Sequence, residues 1–241
     1  MGAPVAVVTG ASRRLGFHTC EALLERGYQV FALYRTETDE LRQLVERGAV
    51  SLQVDLADPD DVGQAIATLK SCTDVVHVLI NNASEFTPDE TAESDLALQA
   101  ARFFQINSTA PMMLMAGLTQ QLRAGYEAPE GPALVVNITD IFVEKPNPKF
   151  AAYCASKAAL SNLTLSYAQR LAPEVRVNAI MPGPVRFLPK HTAEDQATVL
   201  SETLLAREGG FDCVVQQILA LVDNHFMTGA LIPVDGGRRL A

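Results

Sequence analysis

The stretch VAVVTGASRRLG, Val5–Gly16, decides the fold. It opens with an apolar, valine-rich run, turns at Gly10, and passes through Gly16 into a segment, Leu15–Arg26, with helical periodicity. Strand, tight glycine turn and helix in that order make the first half of a βαβ unit. Outward from it the pattern repeats. YQVFALY (28–34), VSLQVDL (50–56), VVHVLINNA (75–83), ALVVNIT (133–139), VRVNAIMPG (175–183) and ALIPVDGG (230–237) read as further strands. Helices are expected at 37–47, 58–71, about 93–124, about 153–171 and about 211–223. The central strands are almost wholly apolar, as strands covered on both faces must be. The pattern predicts an α/β fold, a three-layer α/β/α sandwich around a central parallel sheet of about seven strands.

Nothing in the 241 residues reads as a linker, repeat or low-complexity tract, so one domain over 1–241 is expected. Within it, the segment at about 184–207 has Pro, Lys and acidic residues with weak periodicity, and reads as a mobile lid over a site. A composition of 48% hydrophobic and 20% charged residues suits a globular chain with a sizeable core. With 19 Lys and Arg against 28 Asp and Glu, the net charge of −9 repels nucleic-acid phosphates and anionic lipid, so neither is expected as a partner. The longest apolar run, Ala110–Leu118, falls well short of the roughly 20 residues that span a bilayer. The N-terminus lacks a secretory pattern, and a cytoplasmic protein is expected. Cys20, Cys72, Cys154 and Cys213 are scattered and read as reduced thiols. His18, His77, His191 and His225 lack metal-ligand spacing, so no metal is expected.

TGASRRLG, Thr9–Gly16, stands where a Rossmann-type fold binds phosphate. Glycines allow close approach there, and the helix N-terminus offers free N–H groups to a pyrophosphate. Alone the turn is a weak sign, an ordinary βα loop being the alternative; its place at the head of a repeating βα pattern strengthens it. An NAD site wants an acidic residue at the end of the second strand, and here Tyr34 is followed by Arg35. That favours a ribose 2′-phosphate, hence NADPH, with Arg13 a second cation at the same corner. A solvated surface arginine is the bland alternative. Tyr153 and Lys157, in AAYCASKAAL, are spaced i, i+4 and share a helix face. A neighbouring cation favours phenolate, so Lys157 is expected to lower the pKa of Tyr153 and fit it for proton transfer. Such a pair alone is more often a surface coincidence.

Together, and in this order, these residues resemble the short-chain dehydrogenase/reductase family over essentially the whole chain. TGASRRLG resembles the family's TGxxxGxG turn, Asp55 in VDLAD its adenine contact, and NNA, Asn81–Ala83, its structural and cofactor motif. Asn107 in INSTAP resembles the Asn of the catalytic tetrad, Tyr153 and Lys157 the YxxxK pair, and Pro182–Gly183 the motif along the nicotinamide. The resemblance implies a cofactor site of Gly10, Arg13, Arg14, Leu15, Gly16, Tyr34, Arg35, Thr36, Asp55, Leu56, Asn82, Ala83, Ser84, Tyr153, Lys157, Pro182 and Gly183. It implies that Asn107 holds a water linking Lys157 to bulk solvent. It also implies a homotetramer, packed through the long helices. Arg238 and Arg239 then either reach a neighbouring subunit's site or are solvated terminal cations.

Two departures narrow the resemblance. Arg14 stands where the family usually has its middle Gly, and Asp140 where it usually has the catalytic Ser. With NNAS followed by Phe86, both are similar to the pteridine reductase and dihydromonapterin reductase branch. There, the residue like Phe86 stacks on the pterin opposite the nicotinamide, and those like Arg14 and Ser84 contact cofactor and substrate. The implied substrate-binding set is Arg14, Ser84, Phe86, Asp140 and Tyr153, and the implied catalytic set Asp140, Tyr153, Lys157 and Asn107. Each has a plainer alternative: Phe86 as a loop anchor, Asp140 as a cap or solvated carboxylate, Arg14 as partner of an acidic neighbour.

Electrostatics favours the branch. Carbonyl reduction builds negative charge on oxygen, which a carboxylate opposes. Imine reduction proceeds through a protonated C=N, which a carboxylate stabilises while relaying a proton. The expected activity is NADPH-dependent reduction of a 7,8-dihydropterin, dihydromonapterin or dihydrobiopterin and weakly dihydrofolate, to the tetrahydropterin. The alternatives are a carbonyl reductase of 3-oxoacyl, steroid or sugar substrates, and a non-catalytic NADPH-binding regulator. Asp140 argues against the first, and an intact Asn107, Tyr153 and Lys157 against the second.

Overall fold

The computed structural model describes residues 2–127, 131–187 and 191–241. Seven parallel strands form one sheet: β1 (Val5–Thr9), β2 (Gln29–Tyr34), β3 (Val50–Gln53), β4 (Val78–Asn81), β5 (Ala133–Ile138), β6 (Val175–Pro182) and β7 (Leu231–Val234). Their order is β3-β2-β1-β4-β5-β6-β7. Chain direction across the sheet therefore reverses between β1 and β4, and a crevice opens beyond their carboxyl ends.

Alternation along β1 shows how the layers are built. Val5 and Val7 enter a core with α3 (Pro59–Cys72), α5 (Ala110–Gly117), α6 (Thr119–Ala124) and α7 (Ala151–Leu171). Ala6 and Val8 enter the opposite core, with α1 (Arg14–Glu25), α2 (Asp39–Glu46) and α9 (Phe211–Asp223). All of β1, β4 and β5 is buried, as expected for strands covered on both faces. Edge strand β7 is only half-buried and tolerates Pro233, whose missing N–H would interrupt a central ladder. No helix among the described residues is long and apolar enough to cross a membrane.

Two segments differ from the sequence reading. The single helix expected at 93–124 is α4 (Glu93–Phe104), a π-helical turn (Gln105–Thr109), α5 and α6, the last two separated at Leu118. Such a π turn displaces side chains from the regular helical stripe, and it carries Asn107. The segment expected as an irregular lid contains α8 (Ala193–Ser201), while residues 188–190 of it lie outside the described residues. A capping box between Thr192 and Asp195 starts α8, a signal present in the sequence as T-x-x-D; the helix has no buried residue, so its apolar periodicity is weak.

Candidate active site

The carboxyl ends of the strands border a cleft of ≈ 1300 Å³. Gly10 has φ +66° and Gly16 packs so closely that a Cβ there would lie 2.1 Å from the Gly10 carbonyl oxygen. Arg14, at the position where the family usually has Gly, adopts φ +53°, a left-handed conformation that costs a non-glycine residue about 1 kcal/mol. Asn82 holds the turn shut, donating from Nδ2 to Thr9 O at 2.8 Å, while the Asn82 and Ala83 amides donate to Thr9 Oγ1 at 3.0 Å. No side chain caps the first turn of α1, so its amides face the cleft as an anion site. The residues therefore fit a pyrophosphate.

Gly10, Arg13, Arg14, Leu15, Gly16, Tyr34, Arg35, Thr36, Asp55, Leu56, Asn82, Ala83, Ser84, Phe86, Asp140, Tyr153, Pro182 and Gly183 all line the cleft. Lys157 and Asn107 are buried behind its wall. The Arg14 guanidinium turns to the base of the expected lid, donating to Arg186 O at 2.8 Å and lying 5.2 Å from the Phe211 ring centre. Among the described residues it forms no hydrogen bond to an acidic side chain, although the Glu208 charge acts on it.

At the reacting end, the Tyr153 hydroxyl donates to Asp140 Oδ2 at 2.7 Å, and the Phe142 amide donates to Asp140 Oδ1 at 2.9 Å. Asp140 is thus also the N-cap of the short turn Ile141–Val143. One edge of the carboxyl stays open to the cleft, yet enough protein surrounds it that burial raises its pKa. The Phe142 and Tyr153 hydrogen bonds and the charges of Lys157 and Arg238 oppose that rise without overcoming it. Lys157 is 1% exposed and donates to Ile138 O at 2.8 Å; burial lowers its pKa to about 8, against the pull of Asp140.

This corrects one expectation. The pKa of Tyr153 is well above the ordinary phenol value, raised by burial and by the Asp140 carboxylate. Lys157 sits 5.9 Å from the Tyr153 ring centre, with its ammonium turned to a backbone carbonyl, and does not offset these effects.

Asn107 bonds the loop after β4. Its Oδ1 accepts from Ser84 Oγ and the Glu85 amide, both at 3.1 Å. Its Nδ2 donates to Glu85 O at 3.2 Å and Ser156 Oγ at 2.9 Å. Both donors and both acceptor positions of the side chain are used by protein groups, so its amide organises the Ser84–Glu85 loop.

Phe86 stacks on Phe150 with ring centres 4.5 Å apart and meets Tyr153 edge-on at 4.7 Å. It is a loop anchor on one face and a wall of the cleft as well. Arg238 lies in its own chain's cleft, paired with Glu202 at 3.0 Å and 5.9 Å from the Phe142 ring centre. Arg239 pairs with Glu144 at 3.2 Å, so neither terminal arginine is a free solvated cation. Among the described residues no three His, Cys, Asp or Glu side chains gather as a metal site.

With this geometry in view, comparison with known proteins is specific. The short chain dehydrogenase family matches residues 4–198. The chain belongs to that family. Dihydromonapterin reductase of Klebsiella pneumoniae is 35% identical over 238 residues, covering 97% of this chain and 96% of that protein. The FolM alternative dihydrofolate reductase 1 of Brucella canis, complexed with NADP, superposes with a TM-score of 0.87 at 32% identity, over 99% of this chain and 94% of that one. Acetoin dehydrogenase of Enterobacter cloacae superposes with a TM-score of 0.86 at 27% identity, over 99% and 96%. Similar backbones thus carry differently named activities, and the choice between them rests on side chains.

Several cleft residues escaped the sequence reading. Glu85 and Arg102 form an ion pair at 2.9 Å across 17 positions, with no local pattern to reveal it. Thr38 bonds the Ser12 carbonyl beneath the adenosine corner. Phe142 and Phe150 complete the aromatic wall. Asp195, Thr198, Val199 and Glu202 face the cleft at i, i+3, i+4, i+7 spacing.

Proposed function

We propose that this protein is an NADPH-dependent reductase of a 7,8-dihydropterin, converting its C6=N5 imine to the tetrahydropterin. Asp140 carries the reading: a largely enclosed carboxyl, hydrogen-bonded to Tyr153 at 2.7 Å, lining the same cleft as the glycine turn. The similarity to dihydromonapterin reductase and to NADP-complexed FolM supports it. When bound, NADPH supplies the hydride, which adds at C6.

The chain's own residues do the rest. Amides of the α1 N-terminus and the Gly10 turn hold pyrophosphate, and Arg35 and Arg13 face the ribose 2′-phosphate. Asp140, its pKa raised, passes a proton to N5 and regains it from solvent at the cleft, while the Tyr153 hydroxyl holds the carboxyl in place through their hydrogen bond. Lys157 orients the nicotinamide ribose with Tyr153. Phe86, on the cleft wall, packs against the pterin ring, and Ser84 and Arg14 bound the same space. Residues 184–187 and 191–207 form the lid, with the cleft side of α8 over the pterin side chain; hydrogen exchange of α8 slowed by cofactor and substrate is the check.

The decisive experiment is NADPH oxidation with dihydrobiopterin, dihydromonapterin and a 3-oxoacyl thioester. Turnover of the pterins alone is expected, with NADPH preferred over NADH by roughly tenfold or more, since a charge-assisted contact contributes about 1.5–3 kcal/mol. Consumption with the thioester alone would move the chain to the carbonyl reductases. In the same assay Phe86→Ala is expected to raise the KM for the pterin by about threefold to tenfold, with NADPH binding unchanged, because stacking contributes about 0.5–1.5 kcal/mol.

A homotetramer is part of the proposal. Helices α4, α5 and α7 leave Leu98, Phe104, Met112 and Leu165 exposed, an apolar surface suited to partner copies. Light scattering that returned a monomer mass would remove it. Four unpaired cysteines accord with a reducing, cytoplasmic setting.

A further inference from the structure

The adenosine corner keeps a carboxylate in place beside its arginines. Asn107 clamps the Glu85 backbone from both sides, at 3.1 Å on the amide and 3.2 Å on the carbonyl. Arg102 grips the side chain at two points, Nε to Oε1 and Nη2 to Oε2, each 2.9 Å. Glu85 Oε2 also lies 3.5 Å from Arg35 Nη1. Glu85, Arg102 and Arg35 all line the cleft together with Arg13 and Asp55. A rigidly held anion thus occupies the cation assigned to the cofactor's phosphate, and a second cation besides.

We infer that Glu85 is a specificity-determining residue for the cofactor, competing with the ribose 2′-phosphate for Arg35 and Arg102. The inference rests on the proposed reading that Arg35 faces that phosphate. A 2′-phosphate carries close to two negative charges, so it must displace the Glu85 carboxylate from Arg35 or share the guanidinium with it. With its backbone clamped, Glu85 can yield only by rotating its side chain towards Arg102. NADH lacks the phosphate and meets no such competition. In return, a departing NADP⁺ leaves its arginines already paired, and product release does not expose two bare guanidinium groups.

Equilibrium titration of NADPH and NADH fluorescence tests this without turnover. Glu85→Gln is expected to tighten NADPH binding by about threefold to tenfold and steepen its salt dependence, with NADH within about twofold of the parent. Arg102→Gln, which hands Glu85 wholly to Arg35, is expected to weaken NADPH alone, and it decides the matter if the Glu85 variant does not fold. Equal shifts for both nucleotides, or weaker NADPH binding in Glu85→Gln, would overturn the inference while leaving the reductase reading intact. A parent protein without preference for NADPH would overturn the reading of Arg35, and this inference with it.

Discussion

Asp140→Asn is expected to lower dihydropterin turnover by roughly 10²–10⁴-fold, the usual contribution of general acid catalysis. The substitution keeps the local structure: the amide oxygen can still accept from the Phe142 N–H, and the amide nitrogen can face the Tyr153 oxygen. What disappears is the transferable proton and the charge that stabilises a protonated imine. The pH profile separates this from a structural effect. Burial raises the Asp140 pKa, so the parent enzyme keeps its acid form beyond the ordinary carboxylate range and loses rate as pH rises through the folded-state value. The variant is expected to lack that limb.

Stability has its own sign. The unfolded chain ionises Asp140 at lower pH than the folded protein, so the stability of the neutral folded carboxyl is present at low pH and lost as pH rises through the raised pKa. Tyr153→Phe is the comparison. If Asp140→Asn reduced dihydropterin at near the parent rate while Tyr153→Phe were dead, imine chemistry would lose its support, since Tyr153 would then be the acid.

How far the site was legible in the sequence follows from which interactions are local. Gly10, Asn82, Tyr153 and Lys157 belong to short motifs whose spacing matches a strand end or a helix turn; the first three line one cleft, and Lys157 is buried behind its wall. Asp140 was legible as a departure from a motif. The ionisation of Tyr153 was not, because its pKa depends on burial and on a carboxylate 13 positions away more than on the lysine one turn away. Glu85 and Arg102 meet only because the loop after β4 packs against α4, and neither residue type is unusual on a surface. Helix α8 escaped because it buries nothing: periodicity reports burial, and a lid helix facing a cleft has little to report. The break in the long helix at the π turn is a displacement of one residue, below what a hydrophobic pattern resolves.

Lys157→Met is expected to lose function without losing stability. The ammonium is 1% exposed, and burial moves its pKa from 10.5 to about 8. The folded protein therefore binds this proton less tightly than the unfolded chain, a penalty of about 3 kcal/mol below pH 8 that fades as pH climbs towards 10.5. Methionine fills a similar volume and removes the penalty, but it leaves Ile138 O without the donor now 2.8 Å away, at a cost of about 1–3 kcal/mol. These effects nearly cancel at neutral pH, so the variant is expected to melt near or slightly above the parent there. Their pH dependence does not cancel: the parent is expected to gain on the variant between pH 8 and 10.5. Under the proposed reading Lys157 orients the nicotinamide ribose, and turnover is expected to fall by about tenfold to a hundredfold, since a charge-assisted contact contributes about 1.5–3 kcal/mol. Parallel stability curves for the two proteins across that pH range would show that the lysine is not held against its ionisation. Its burial beside Asp140 would then be ordinary packing, and the lost turnover would have to come from misplaced cofactor alone.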